Sequence, residues 1–123
     1  MELAVIKGVR QNLGGPRVTD EVPSTVEMLV PVVVVQVAGG ADNHISDTVT
    51  VDVAAFAADR AAMWQLAEHA RAAVHALAAT VAGGVVVDTV DTVQRPVEVP
   101  YGNPGVRRAI ATYTLTTRAR AEV

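Results

Sequence analysis

The stretch Asp47–Phe56, DTVTVDVAAF, alternates with a period of two. Val49, Val51, Val53 and Ala55 fall on one side; Thr48, Thr50, Asp52 and Ala54 fall on the other. Period two is the signature of a strand. Apolar on one side and polar on the other marks an antiparallel sheet with a single buried face. A chain holding such a strand must also hold something apolar to cover that face, and the remaining residues have to supply it.

Two segments have the period to do so. Residues 59 to 79 carry Met63, Leu66, Ala67, Ala70, Val74 and Leu77 at helical spacing, with Arg60, Glu68, His69, Arg71 and His75 mostly off that stripe. Asp59 stands where a cap is wanted. Residues 2 to 13 place Leu3, Ile6, Val9 and Leu13 on one face, and Gly14-Gly15-Pro16 closes the segment with glycine past the end and proline after it. Valine-rich strands are expected at 31–38, 85–93 and 106–118. Residues 16–30 read as a long connection or arm, and QRPVEVPYGNPG, from Gln94 to Gly105, as a loop. The expected fold is α+β: a four-stranded antiparallel sheet with two helices packed on one face, in the order α-β-β-α-β-β. At 123 residues the chain reads as a single domain, long enough to bury roughly two-thirds of its unfolded surface.

Half the residues are apolar, mostly Val and Ala, and only Phe56, Trp64, Tyr101 and Tyr113 are aromatic. The net charge of −3 has the wrong sign for a nucleic-acid binder acting through its overall field. The absence of cysteine removes disulfides, thiolate metal sites and a thiol nucleophile. Met1-Glu2-Leu3-Ala4 does not read as a secretory leader. The most apolar run, Met28 to Val35, is far short of the roughly 20 residues of a membrane helix and reads as buried strand.

The search for chemistry yields little. His69 and His75 are six apart on one helix and diverge; His44 lies in a loop. The pairs Gly14-Gly15, Gly39-Gly40 and Gly83-Gly84 sit where elements end and form no phosphate-binding motif. Asp88 and Asp91 are expected on opposite sides of a strand, and Ser24 and Ser46 have no nucleophile-elbow setting. No catalytic, cofactor-binding or metal-ligating residues are expected. Arg108, Thr112, Thr114, Thr116, Arg118 and Arg120 share strand parity, a polar face with basic ends. It fits a solvated or subunit-facing surface, or phosphate contact, but lacks aromatics for base stacking. Trp64 lies beside the buried stripe, so it either seals the core edge or anchors a neighbour.

Three stretches carry a resemblance: VPVVVVQVAGGADNHISDTVTVDVAAFAADRAAMWQLAEHARAAVHAL, GGVVVDTV and VPYGNPGVRRAIATYTLTTRA. Together, over about residues 30 to 120, they resemble the tail terminator (tail-completion, or minor tail) proteins of long-tailed bacteriophages. The resemblance implies a non-enzymatic structural subunit without cofactor, located at the head-proximal end of the virion tail after assembly in the host cytoplasm. It implies a homo-oligomeric ring, typically a hexamer, that caps the tail tube and stops its polymerisation. Its partners would be itself, the major tail tube protein and the head–tail connector proteins, with DNA passing through the lumen and no membrane involved. Trp64, Tyr101, Asn103, Arg107, Arg108 and Arg118 are the expected contact residues toward a neighbouring subunit or the tube. A head–tail connector or head-completion protein is the alternative within the virion; a small ligand-binding α+β domain is the alternative of another class.

Overall fold

The computed structural model describes residues 2–14, 17–22, 30–42, 47–82, 85–102 and 105–119. The elements are α1 (Glu2–Leu13), β1 (Arg17–Thr19), β2 (Val32–Asp42), β3 (Asp47–Ala57), α2 (Arg60–His75), β4 (Thr80–Ala82), β5 (Val85–Glu98) and β6 (Arg107–Ala119). They form an α+β fold in which one six-stranded sheet runs β1-β2-β3-β6-β5-β4. β1 lies parallel to β2; every other pairing is antiparallel.

The sheet is therefore larger than four strands and is mixed, which corrects the sequence expectation. The additions are short. β1 falls in the stretch expected to be an arm, where Arg17, Val18 and Thr19 pair with Val32, Val33 and Val34. Three residues are too few to show alternation, so only a partner strand reveals them. β4 comes from what looked like the end of the second helix. α2 stops at His75 because the chain turns over Ala76–Ala79, with Ala79 left-handed at φ 61° and the Thr80 hydroxyl donating to the Leu77 carbonyl at 2.5 Å. Leu77 stays buried on the turn itself. β5 runs on to Glu98, through residues expected as loop. Pro96 is tolerated because it lies where the β5–β6 register shifts, between Gln94 and Val97, and no ladder N–H is required of it. Residues 23–29 of the expected arm lie outside the described residues.

Alternation decides what each face meets. Val33 and Val35 on β2, Val49 to Ala57 at odd positions on β3, and Ala109, Ala111, Tyr113 and Leu115 on β6 form one buried cluster with both helices. α1 contributes Val5, Ile6 and Val9; α2 contributes Met63, Leu66, Ala67, Ala70, Ala73 and Val74. Both helices thus cover the same face. Asp59 caps α2 as expected, its Oδ1 accepting from the Ala62 N–H at 2.8 Å. The helices are tied to each other and to the sheet edge by Asn12 Nδ2 donating to the Ala73 carbonyl and Arg10 Nη2 donating to the Val18 carbonyl, both at 3.0 Å. The opposite face bears the threonines: Thr50 faces Thr114 and Thr48 faces Thr116 across the β3–β6 pair. There Thr112 donates to Asp52 Oδ1 at 2.7 Å, its neighbour in register.

Candidate contact surface at the β5–β6 connection

One end of the helix-free face is not bare. Val32, Val34, Phe56 and Val106 form a second, smaller core, with Val30, Ala54 and Tyr101 packed against it. Phe56 belongs to β3, and its even parity sends it away from the helices. The Tyr101 ring meets it edge-on, with centroids 5.1 Å apart and an interplanar angle of 82°, a favoured aromatic geometry. This contact pins the connection between β5 and β6 onto the sheet. The Val99 N–H donates to the Arg108 carbonyl at 2.9 Å and carries the pairing one step beyond the strands. Gly102 then turns the chain at φ 87°, a conformation side chains disfavour.

Adjacent strand residues point to opposite faces, so Arg107 and Arg108 are split by the sheet. Arg108 goes to the helix-free side. Its guanidinium carbon stands 5.2 Å from the Tyr101 ring centroid, and Nη2 donates to the Pro100 carbonyl at 2.9 Å. Arg108 is thus engaged in holding the connection. Arg107 goes to the helix side, where Nη1 lies 3.3 Å from Glu98 Oε2. The other oxygen of Glu98 meets Arg60 Nε, at the start of α2, at 3.1 Å. One carboxylate therefore bridges two guanidiniums from different elements. Exposed pairs of this kind contribute little to stability, about 0–1 kcal/mol each. The Arg107 side chain is still 49% exposed and can reach outward.

Arg60, Glu98, Val99, Pro100, Tyr101, Gly102, Val106, Arg107 and Arg108 line an open groove of about 580 Å³. Three of these side chains are cationic and one is anionic, so the groove is net basic in an acidic chain. Trp64 stands one helical turn beyond Arg60 on the same side of α2 and is 37% exposed. An aromatic flank beside a basic groove has the chemistry to meet a surface carrying carboxylates.

The fold gathers Trp64, Tyr101, Arg107 and Arg108 near one end of the sheet. Arg118 is not among them: it sits opposite Val86 near the other end of β6, about 35 Å along the strand from Arg107. Asn103 lies outside the described residues. Sequence reasoning missed Arg60 and Glu98, because their pairing joins positions 38 apart and leaves no local signal. His75 Nε2 is 2.7 Å from Thr92 Oγ1, and its ring meets Tyr113 edge-on at 5.7 Å. Burial pushes the Tyr113 phenol up from 10.0 to about 12. Among the described residues no three His, Cys, Asp or Glu side chains come together as a metal site would require.

A sheet with one sealed face and a charged, pinned rim defines a class of protein that works through its outer contacts. The comparisons agree with that description. The tail completion protein gp17 family matches residues 2–118, and the chain belongs to that family. It is a structural protein of the phage virion, and its place is the tail. A chain in the virion of a native gene transfer agent particle has a similar fold, with a TM-score of 0.60 at 16% identity, covering 97% of this chain and 95% of that one. No curated protein matches the sequence significantly.

Proposed function

We propose that this tail-completion protein is the terminator of the tail tube: copies close into a ring, typically of six, that caps the tube, halts its growth and offers the head-proximal joining surface. The observation that carries the reading is the family match over both helices and every strand, with the basic groove as the contact surface toward carboxylates of the tube or neck proteins. The protein acts by shape and charge and makes or breaks no bond. On this reading the chain works as a single domain, which the family match over residues 2–118 supports.

The test is Arg107→Glu combined with Arg60→Glu in the phage genome. Both side chains are exposed, so the variant is expected to keep its fold by circular dichroism, with a lowered melting temperature because three carboxylates now meet at Glu98. Electron microscopy should then show tails of uncontrolled length without joined heads. Tails of normal length at normal infectious yield would overturn the groove as the contact. Tails of normal length that fail to join heads would shift the assignment to a head-completion or connector role.

A further inference from the structure

A ring closes only through a head-to-tail contact between two different surfaces on opposite sides of the subunit. The sheet offers such a pair in the β1 corner and the uncovered part of β5, separated by four strand spacings, roughly 19 Å. At one edge, β4 covers only Val85–Val87 of β5. Among the described residues no strand covers β5 from Asp91 to Glu98. Val93 is 62% and Val97 42% exposed there, and Arg95 between them is exposed with no ion pair among the described residues. An uncovered edge with exposed valines recruits other chains unless it is blunted, and Arg95 and Pro96 leave only a short stretch of this one for use. The register shifts around Gln94 would interrupt any long added strand, so the edge suits a short segment.

At the opposite edge, Asp20, Glu21 and Val22 leave β1 as an exposed corner. Val22 is 38% exposed. The corner is fixed through its backbone: Thr19 Oγ1 donates to the Glu21 carbonyl at 2.6 Å, and Gln36 Nε2 to the Asp20 carbonyl at 3.4 Å. Both carboxylates are left without an ion pair among the described residues. The corner is short, acidic and tipped with a valine, as the β5 edge is short in usable length, basic at Arg95 and flanked by valines.

We infer that the Asp20–Val22 corner of one copy docks on the Val93–Val97 edge of the next, with Glu21 or Asp20 meeting Arg95 and Val22 covering Val93 and Val97. The inference rests on the ring reading and names its subunit contact. The occupant is a second copy of this chain because the complementary charge and apolar tip lie on the chain's own far edge, where closure demands them.

The chain is cysteine-free, so Glu21→Cys with Arg95→Cys gives two unique thiols. Purified particles carrying this variant, treated with a short bis-maleimide, should yield a ladder of covalent multiples ending at the ring's copy number; either single variant should yield none. Rings visible on the tails without a ladder would overturn this contact and leave the ring reading standing. Wild-type tails that end without a ring would overturn both. In a second arm, Arg95→Glu or Glu21→Arg alone should lower assembly about tenfold through like-charge contact, and an equimolar mixture of the two should restore it. Failure of the mixture, with each variant folded by circular dichroism, would also overturn the contact.

Discussion

Leu115 and Thr114 are neighbours on β6, yet one is fully buried with the helices and the other lies on the face that no helix covers. The helix side buries Val, Ile, Ala, Leu and Met with a single tyrosine, and Thr117 is buried two positions beyond Leu115 on the same side of β6. Among the described residues the other side is covered where Phe56, Tyr101 and Val106 seal one end, and away from that end and its neighbour Ile110 it is mostly threonine, aspartate and glutamine. The difference separates two tasks. Stability is concentrated on the first face, where apolar area leaves water. The second face and the rims of the sheet are left free to meet other proteins, at little cost to the fold.

The strongest way to break this contrast is to truncate both neighbours. Leu115→Ala should cost about 2–5 kcal/mol in urea unfolding, because it opens a cavity in a close-packed core. Thr114→Ala should cost no more than about 1 kcal/mol. Equal losses would show that both faces hold the fold together.

A smaller effect belongs to Tyr113, the polar group on the sealed face. Its hydroxyl is buried without a hydrogen-bond partner among the described residues, and burial raises its pKa from 10.0 to about 12. In the unfolded chain the phenol ionises near pH 10; in the folded chain it stays protonated until about pH 12. The unfolded state thus gains from ionisation first, and stability should fall by about 2–3 kcal/mol as the pH rises through that window. Tyr113→Phe should lack this component of the fall and, below pH 10, be at least as stable, since it removes an unsatisfied hydroxyl. Identical alkaline melting profiles for the two proteins would refute it.

The smallest effect is expected at the rim. Glu98→Gln removes the bridge between Arg60 and Arg107, and should change stability by no more than about 1 kcal/mol by urea titration. A loss above roughly twice that would make the charged rim part of the scaffold, and the division of labour between core and rim would fail.

Much of this was legible in residue order. The alternation of β3 announced its buried and polar sides, and the helical spacing from Met63 to Leu77 announced the cover. Asp59 marked the start of α2 because a cap is a local interaction. The end of α2 was not legible: Ala76, Leu77, Ala78 and Ala79 are compatible with helix, and only the pairing of Thr80–Ala82 with Val85–Val87 pulls the chain away. β1 was hidden for a similar reason. Within the contact surface, Tyr101, Arg107 and Arg108 stood out in the sequence, but the division of the two arginines between opposite faces required the register of β6. Arg60 and Glu98 belonged to segments with no visible relation until the sheet brought them together.

By itself the sequence determined the class of fold, the buried and polar sides of β3 and β6 and the two helices that cover the buried one, because periodicity and capping act over a few residues. The tertiary structure decided the number of strands, the edges left open and the partners of each charge. Those depend on backbone hydrogen bonds and contacts between distant segments, which carry no period and leave no mark on the neighbours of any one residue.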